Sequence, residues 1–464
     1  MRASQHSETD LYRIVLFASH AAELLVLPEN GRLRLPTLPL PKHQRGAQNL
    51  TASMRREWSQ EATCLFCLDI PPTPSERRYQ VMESCEKNPP HAVGSRWVPV
   101  SSLEESQFEE AADYAAVAKS FAECKEHAAG NAHGPFAHLG WFAELTAWVR
   151  DEIRPEGLTL NGRFSQLNSS PTFSLVRFET DGPAVWFKGV GKPNLREYPI
   201  TLALSKYFPA FVPRIIAARA DWNGWLAMEA KGAHPEQNSG IDVWTKVAAR
   251  LADLQIASLG QTLHLIDAGC HDARVCSLVE LINPFLEVMA ELMEQQVAEP
   301  PARLSRLQLA ELAAQLEALL ADFHSFELPT TLGHLDFSPS NIVTHGASCI
   351  FLDWAEACCG PCSLTVQYLV EHVRRLNPRS PSCESPITSA YLRPWSHVID
   401  PRTIVTALNA SQALAVFVYA VCATGWRDVV RRQNPREAGY LRSLTRRLKR
   451  ECDALEPCAF GSLR

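Results

Sequence analysis

The chain has 464 residues, of which 46% are hydrophobic and 21% charged, with 45 basic against 51 acidic residues for a formal charge of −6. That length favours two or three domains over one core. The absence of a long single-sign block excludes nucleic acid and an anionic membrane surface as default partners. The 14 cysteines are scattered behind a start that lacks a basic, apolar, small-residue leader, so they read as reduced thiols in a cytoplasmic protein. The longest apolar run, 413–425, falls short of the roughly 20 residues a bilayer span needs and reads as a buried helix.

In chain order, apolar runs at 12–18 and 22–27, broken by Pro28-Glu29-Asn30-Gly31, read as strands with hairpin punctuation. A helix follows over 48–60, a strand over 62–69 and an extended piece over 95–100. An acidic, alanine-rich helix is expected over 104–124. The His-, Gly- and Ala-rich stretch 125–135 reads as a boundary, and 136–153 as a linker helix. Three strands over 158–167, 173–179 and 184–190 are separated by Asn168-Ser169-Ser170-Pro171 and Asp181-Gly182-Pro183. From Trp244 onward helical spacing dominates, with Leu309, Leu312, Leu316, Leu319 and Phe323 on one face. A small antiparallel β-rich lobe thus precedes a larger α-helical one.

The most informative segment is Gly333-His334-Leu335-Asp336-Phe337-Ser338-Pro339-Ser340-Asn341, followed by Ile350-Phe351-Leu352-Asp353-Trp354. It holds H-x-D-x-x-x-x-N, the catalytic-loop spacing of protein kinases, and then an aspartate ending a short apolar strand. Phosphoryl transfer needs a carboxylate to orient the attacking hydroxyl and take its proton, and hard oxygen ligands to hold Mg²⁺ against the phosphates. Asp336 suits the first task, and Asn341 with Asp353 the second. A bare triplet arises by accident in about one chain in twenty, so its weight comes from its place after a β-rich and a helical stretch.

Lys188 lies inside the apolar strand 184–190, where an unpaired ammonium is costly. The next helix opens after Pro193-Asn194 with Glu197 in its first turn, and a strand lysine paired with a helix glutamate fixes ATP phosphates in kinases. The alternative is a lysine with its head in water beside a glutamate serving the helix dipole.

Through these residues the segment from about 155 to 430 resembles the aminoglycoside phosphotransferase and choline kinase group, whose loop usually reads H-G-D-x-H-P-x-N and whose metal aspartate sits in I-D-W. The matching positions are His334, Asp336, Pro339, Asn341, Asp353 and Trp354. The resemblance implies an α+β, two-lobed protein-kinase-like fold, with ATP and Mg²⁺ and a small-molecule hydroxyl as acceptor. It makes Lys188 and Glu197 the phosphate-orienting pair, Ser169 and Ser170 the nucleotide-loop residues, and Met228-Glu229-Ala230 the hinge that meets adenine, with His334 and Trp354 in support. Leu335 and Ser338 depart from the pattern, and the loop 168–172 has no glycine to let backbone amides close over phosphates. A catalytically inactive kinase-like nucleotide-binding or regulatory module is therefore the alternative reading.

Residues 11–120 resemble a Nudix domain, a small α/β fold, with a partial box at Arg56-Glu57-Trp58-Ser59-Gln60-Glu61 and Gln48 where an upstream glutamate belongs. Glu57 and Glu61 are too few hard ligands for that chemistry, and a solvated helix face explains them equally. The clusters Cys64-Leu65-Phe66-Cys67 and Cys358-Cys359-Gly360-Pro361-Cys362 lack a second cluster at zinc spacing. The expected organisation is 1–124 Nudix-like without catalysis, 125–155 linker, 156–232 small lobe and 233–464 helical lobe. The acceptor's identity and the oligomeric state are not legible.

Overall fold

A computed structural model describes residues 9–18, 23–41, 45–68, 77–85, 94–128, 134–236, 239–297, 299–376 and 384–455. The chain forms two compact units, Met1–Tyr198 with Arg214–Glu229, and Pro199–Pro213 with Ala230–Arg464. The expected boundary at 125–135 lies partly outside the described residues.

The first unit opens with strands β1 (Thr9–Ala18), β2 (Glu23–Glu29), β3 (Arg32–Arg34) and β4 (Thr37–Pro41), then helix α1 (Gly46–Trp58), strands β5 (Ala62–Leu68), β6 (Arg77–Ser84) and β7 (Arg96–Pro99), and helix α2 (Ala111–Ala128). The strands make one seven-stranded sheet in the order β3-β2-β1-β6-β5, with β4 on β1 and β7 on β2; β1 and β6 run parallel. Residues 14–18 of β1 are buried without alternation, as befits a strand covered on both faces. α2 starts seven residues later than the sequence suggests, because Glu104 and Gln107 close a capping box around a short 3₁₀ turn, Glu105–Gln107. The box segment is split: α1 ends at Trp58, Arg56 pairs with Glu57 at 2.7 Å, and Glu61 lies beyond the helix paired with Arg55.

Helix α3 (Trp141–Ile153) follows. It is shorter at its start than expected, since Gly140 at φ 92° holds a left-handed conformation that no helix interior accepts. Strands β8 (Leu160–Ser169), β9 (Ser174–Thr180) and β10 (Val185–Gly189) come next, then helix α4 (Glu197–Tyr207), which begins in the first unit and continues in the second, and strands β11 (Ile215–Arg219) and β12 (Gly224–Met228). The five strands form an antiparallel sheet in the order β11-β12-β10-β9-β8. Val176 and Phe178 of β9, with Val185 and Phe187 of β10, point into one core that also takes Phe136, Trp141 and Phe142 and the Val15 and Phe17 side of β1. The N-terminal sheet and the β-rich lobe therefore share their apolar interior, and Phe136 meets Trp141 of α3 and Phe187 and Trp222 of the β-rich lobe edge-on.

The second unit contains α5 (Ile241–Ala257), α6 (Thr262–Asp267), β13 (His271–Asp272), α7 (Val275–Glu294), α8 (Arg306–Ser325), β14 (Thr330–His334), β15 (Ile342–His345), β16 (Ser348–Phe351), β17 (Ala357–Pro361), α9 (Ser363–Leu376), α10 (Glu384–Trp395), α11 (Pro401–Cys422), α12 (Val429–Gln433) and α13 (Pro435–Asp453). The stripe from Leu309 to Phe323 on α8 is buried, and Ser305 with Gln308 forms the capping box that starts the helix. α11 is long and apolar enough to span a membrane, and 72% of its most apolar window is buried, as in a core helix. Two small sheets carry the loop of interest: β13-β17-β14 and the β15-β16 hairpin. The architecture is α+β, a sheet-bearing lobe and a helical lobe, as the sequence implies.

Candidate active site

Strand β14 delivers His334 to its buried end, and the chain then turns through 335–341 before entering β15. Asn341 holds this turn closed: its Nδ2 donates to the Asp336 carbonyl at 2.9 Å and to Asp336 Oδ2 at 2.9 Å. Spending Nδ2 on Asp336 leaves the amide Oδ1 on the opposite prong as a hard acceptor. The Leu352 N–H donates to the Asn341 carbonyl at 2.8 Å, one step beyond the β15–β16 ladder, so Asp353 follows directly on a residue bonded to Asn341. On the other side the Leu335 N–H donates to the Glu356 carbonyl at 3.2 Å. Both ends of the loop are thus tied to the segment that carries Asp353.

Asp353 itself has φ 61° and ψ 69°, a left-handed conformation that costs a non-glycine residue on the order of 1–3 kcal/mol and concentrates at functional sites. His334 supports the same junction. It is fully buried, its Nε2 donates to the Leu352 carbonyl at 2.9 Å, and its ring lies 4.8 Å from that of Trp354, whose Nε1 donates to the Phe351 carbonyl. The donor set fits Mg²⁺, which is ordinarily held by one or two carboxylates with the remaining positions left to water and phosphate oxygens.

Within the first unit, Lys188 on β10 reaches Glu197 at the start of α4 at 2.6 Å. The side chains are 14% and 2% exposed, so the lysine is not a strand-edge residue with its head in water. Glu229 accepts from Arg177 Nε at 2.7 Å and from Trp186 Nε1 at 3.1 Å, which turns its carboxylate back across the sheet. The N–H groups of Met228 and Glu229 donate to the carbonyls of Arg214 and Ala184, both at 2.9 Å. In the second unit, residues 230–233 lead into a bridge between Ala233 and Thr344, and a Cβ on Gly232 would come 2.3 Å from the Thr344 carbonyl oxygen.

Residues 195–369 match the phosphotransferase enzyme family. The match takes in Glu197, Met228 to Ala230, the loop with Asp336 and Asn341, and Asp353 with Trp354; Lys188, Ser169 and Ser170 lie ahead of it. No curated protein matches the chain in sequence at a significant level. Among solved structures it is similar to an ethanolamine kinase of Plasmodium vivax, at 13% identity over 76% of this chain and 92% of that one, with TM-score 0.46. A choline kinase of Streptococcus pneumoniae matches at 11% identity over 67% and 99%, TM-score 0.44. A macrolide 2'-phosphotransferase of Brachybacterium faecium matches at 13% over 64% and 97%, TM-score 0.42. Likenesses this distant carry no functional argument.

Two departures from the family loop have local causes. Leu335 stands where glycine is usual, yet its φ is not positive and its side chain is 2% exposed within the helical core, so a leucine is accommodated and adds burial. Ser338 shares a 2.8 Å hydrogen bond with Ser340 across the turn. Ser169 is oriented away from the role the resemblance implies: its hydroxyl donates to the carbonyls of Cys64 at 3.0 Å and Leu65 at 3.3 Å. Ser170 is consumed locally, its hydroxyl accepting from the N–H groups of Thr172 and Phe173. The turn they form is gripped on both flanks, since a Cβ on Gly134 would come 2.2 Å from the Pro171 carbonyl oxygen and one on Gly191 2.2 Å from Thr172.

Sequence reasoning missed the surroundings of Asp336. A pocket of about 200 Å³ opens there, walled by α9, α11 and α13. Glu371, Arg374 and Arg375 project into it from α9, and Arg447 from α13. The i, i+3, i+4 spacing on α9 was the available signal, because such residues share one helix face. Cys358, Cys359 and Cys362 are buried free thiols, while Cys64 is buried and Cys67 exposed.

Proposed function

We propose that this protein transfers the γ-phosphoryl group of ATP to a hydroxyl of a small molecule. What supports the reading above all is the contact of Asn341 with Asp336 at 2.9 Å inside a segment that matches a phosphotransferase family. Asp336 orients the acceptor hydroxyl and receives its proton. Asn341 Oδ1 and the Asp353 carboxylate are the ligands for Mg²⁺, which when bound supplies charge neutralisation for the transferring phosphoryl group. Lys188, held straight by Glu197, faces the phosphates, and the backbone of Met228 to Ala230 meets the base. Catalysis on this scheme is positioning and electrostatics, with no covalent enzyme intermediate.

A second reading, a kinase-like nucleotide-binding module without turnover, draws on Ser169 and Ser170, whose hydroxyls are already engaged in a turn without glycine. Turnover of ATP with a hydroxylated acceptor library separates the two. Asp336→Ala should lower kcat by about 10²–10⁴, the usual contribution of a positioned acid–base group, with ATP affinity kept. Wild-type protein that binds ATP and phosphorylates nothing, or a variant as active as wild type, rejects the catalytic reading.

A further inference from the structure

The pocket beside Asp336 restricts the chemistry of the acceptor, on the premise that Asp336 is the base. At about 200 Å³ it is smaller than the roughly 300–1,000 Å³ typical of sites for drug-sized ligands, so it encloses one short chain or single ring. Its charges decide what that molecule carries. The carboxylates lining it are Asp336 and Glu371. Glu371 accepts from Arg447 Nη2 at 2.6 Å and also from Arg375. Burial alone would raise the Glu371 carboxyl, but the two guanidiniums hold it below its ordinary value, so it is ionised and already shared. An ammonium group entering here finds no uncommitted carboxylate besides the one needed for the hydroxyl, and meets three guanidiniums in the lining.

The guanidiniums are less fully used. Each has five N–H donors; Arg375 gives Nη2 to Glu371, and Arg447 gives Nη2 to Glu371 with Nε 3.6 Å from Glu451. Arg374 is engaged by Glu384 through Nε and Nη2 and serves the wall rather than the ligand. Burial and the adjacent Arg375 keep His372 below its ordinary value, so near neutral pH it presents an uncharged imidazole. Tyr419 and Tyr440 also line the pocket.

We propose that the acceptor is a small hydroxylated anion, whose carboxylate or phosphate group is held by Arg375 and Arg447 while its hydroxyl faces Asp336. In the reaction the bond from the γ-phosphorus of ATP to the β,γ-bridging oxygen breaks and a bond from that phosphorus to the acceptor oxygen forms. The hydroxyl proton goes to Asp336, and ADP leaves.

The test uses the full chain with ATP, Mg²⁺ and acceptors matched in size: hydroxy acids, sugar phosphates, neutral sugars, and amino alcohols including choline, with kanamycin as a multi-ring cation. Turnover of hydroxy acids or of sugar phosphates supports the proposal and says which anion is meant. Arg375→Gln, at a 63% exposed side chain that tolerates change, should raise KM for that acceptor by about tenfold or more with kcat little altered. Amino alcohols or neutral sugars phosphorylated in preference to anions would overturn this proposal and leave the phosphotransferase reading standing. Phosphorylation of no acceptor would overturn both, and an unchanged KM in Arg375→Gln would remove the arginine's role.

Discussion

The side chain of Gln166 bonds to the backbone of Cys64 twice: the Cys64 N–H donates to Gln166 Oε1 at 2.7 Å, and Gln166 Nε2 donates to the Cys64 carbonyl at 3.0 Å. The amide thereby replaces the neighbouring strand that the β5 edge lacks there, at a point where the pairing register of β5 slips between Cys64 and Phe66. Gln166 is fully buried, so the pair is dry. Gln166→Ala leaves the Cys64 N–H with no substitute acceptor, and a buried unsatisfied donor costs about 1–3 kcal/mol. Chemical denaturation should show that loss, whereas Arg163→Ala, at an exposed position three residues earlier, should fall within about 0.5 kcal/mol of wild type.

The Lys188–Glu197 pair makes a sharper demand, because one member is 2% exposed. Removing one partner of a buried ion pair costs about 3–5 kcal/mol, while replacing both by apolar groups of similar volume is close to neutral. Lys188→Met should therefore destabilise markedly, and Lys188→Met with Glu197→Met should recover most of the loss. Neither protein should keep wild-type ATP affinity. A double variant that is stable and still binds ATP as wild type does would detach this lysine from the phosphates.

Much of this was legible in the sequence where residue type and spacing alone decide the outcome. The leucine stripe of α8, the strand alternation of β9 and the helix-opening Glu197 are local patterns, and each fell where its period put it. What stayed hidden was long-range. Strands β11 and β12 are short and flanked by aromatic residues, with no alternation to mark them. The shared core of the N-terminal sheet and the β-rich lobe depends on Phe136, Trp141 and Phe142, which read from sequence as the start of a linker. Ser169 lies in a stretch that looks like a nucleotide loop, but its hydroxyl orientation is set by Cys64, 105 residues away. The wall of the pocket joins α9 to α13 through Arg447 and Glu371, 76 positions apart, a pairing no window of sequence displays.

The proposed scheme carries a metal dependence. On that scheme Asp353→Asn removes a charged oxygen ligand while its backbone, held by the Leu352 bond to Asn341, keeps its place. The Mg²⁺ concentration for half-maximal activity should rise by no less than the roughly 10–100-fold that loss of even an outer-sphere partner costs. Titration of activity with Mg²⁺ at saturating ATP measures it, and an unmoved midpoint would take Asp353 out of the ligand set.

Acid stability has a readable component at Glu229. Hydrogen bonding from Arg177, opposed by partial burial and reinforced by Trp186, holds this carboxyl below its ordinary value of 4.5. A carboxyl depressed in the folded state contributes stability that is fully present above its unfolded value and disappears as pH falls through the folded one. Wild type should accordingly be more stable than Glu229→Gln at neutral pH, with the difference shrinking below pH 4.5 and closing once the folded carboxyl is protonated. Urea midpoints of the two proteins across that range give the difference directly. A gap that stays constant down through that window would mean that the Arg177 contact does not bias Glu229 toward its ionised form.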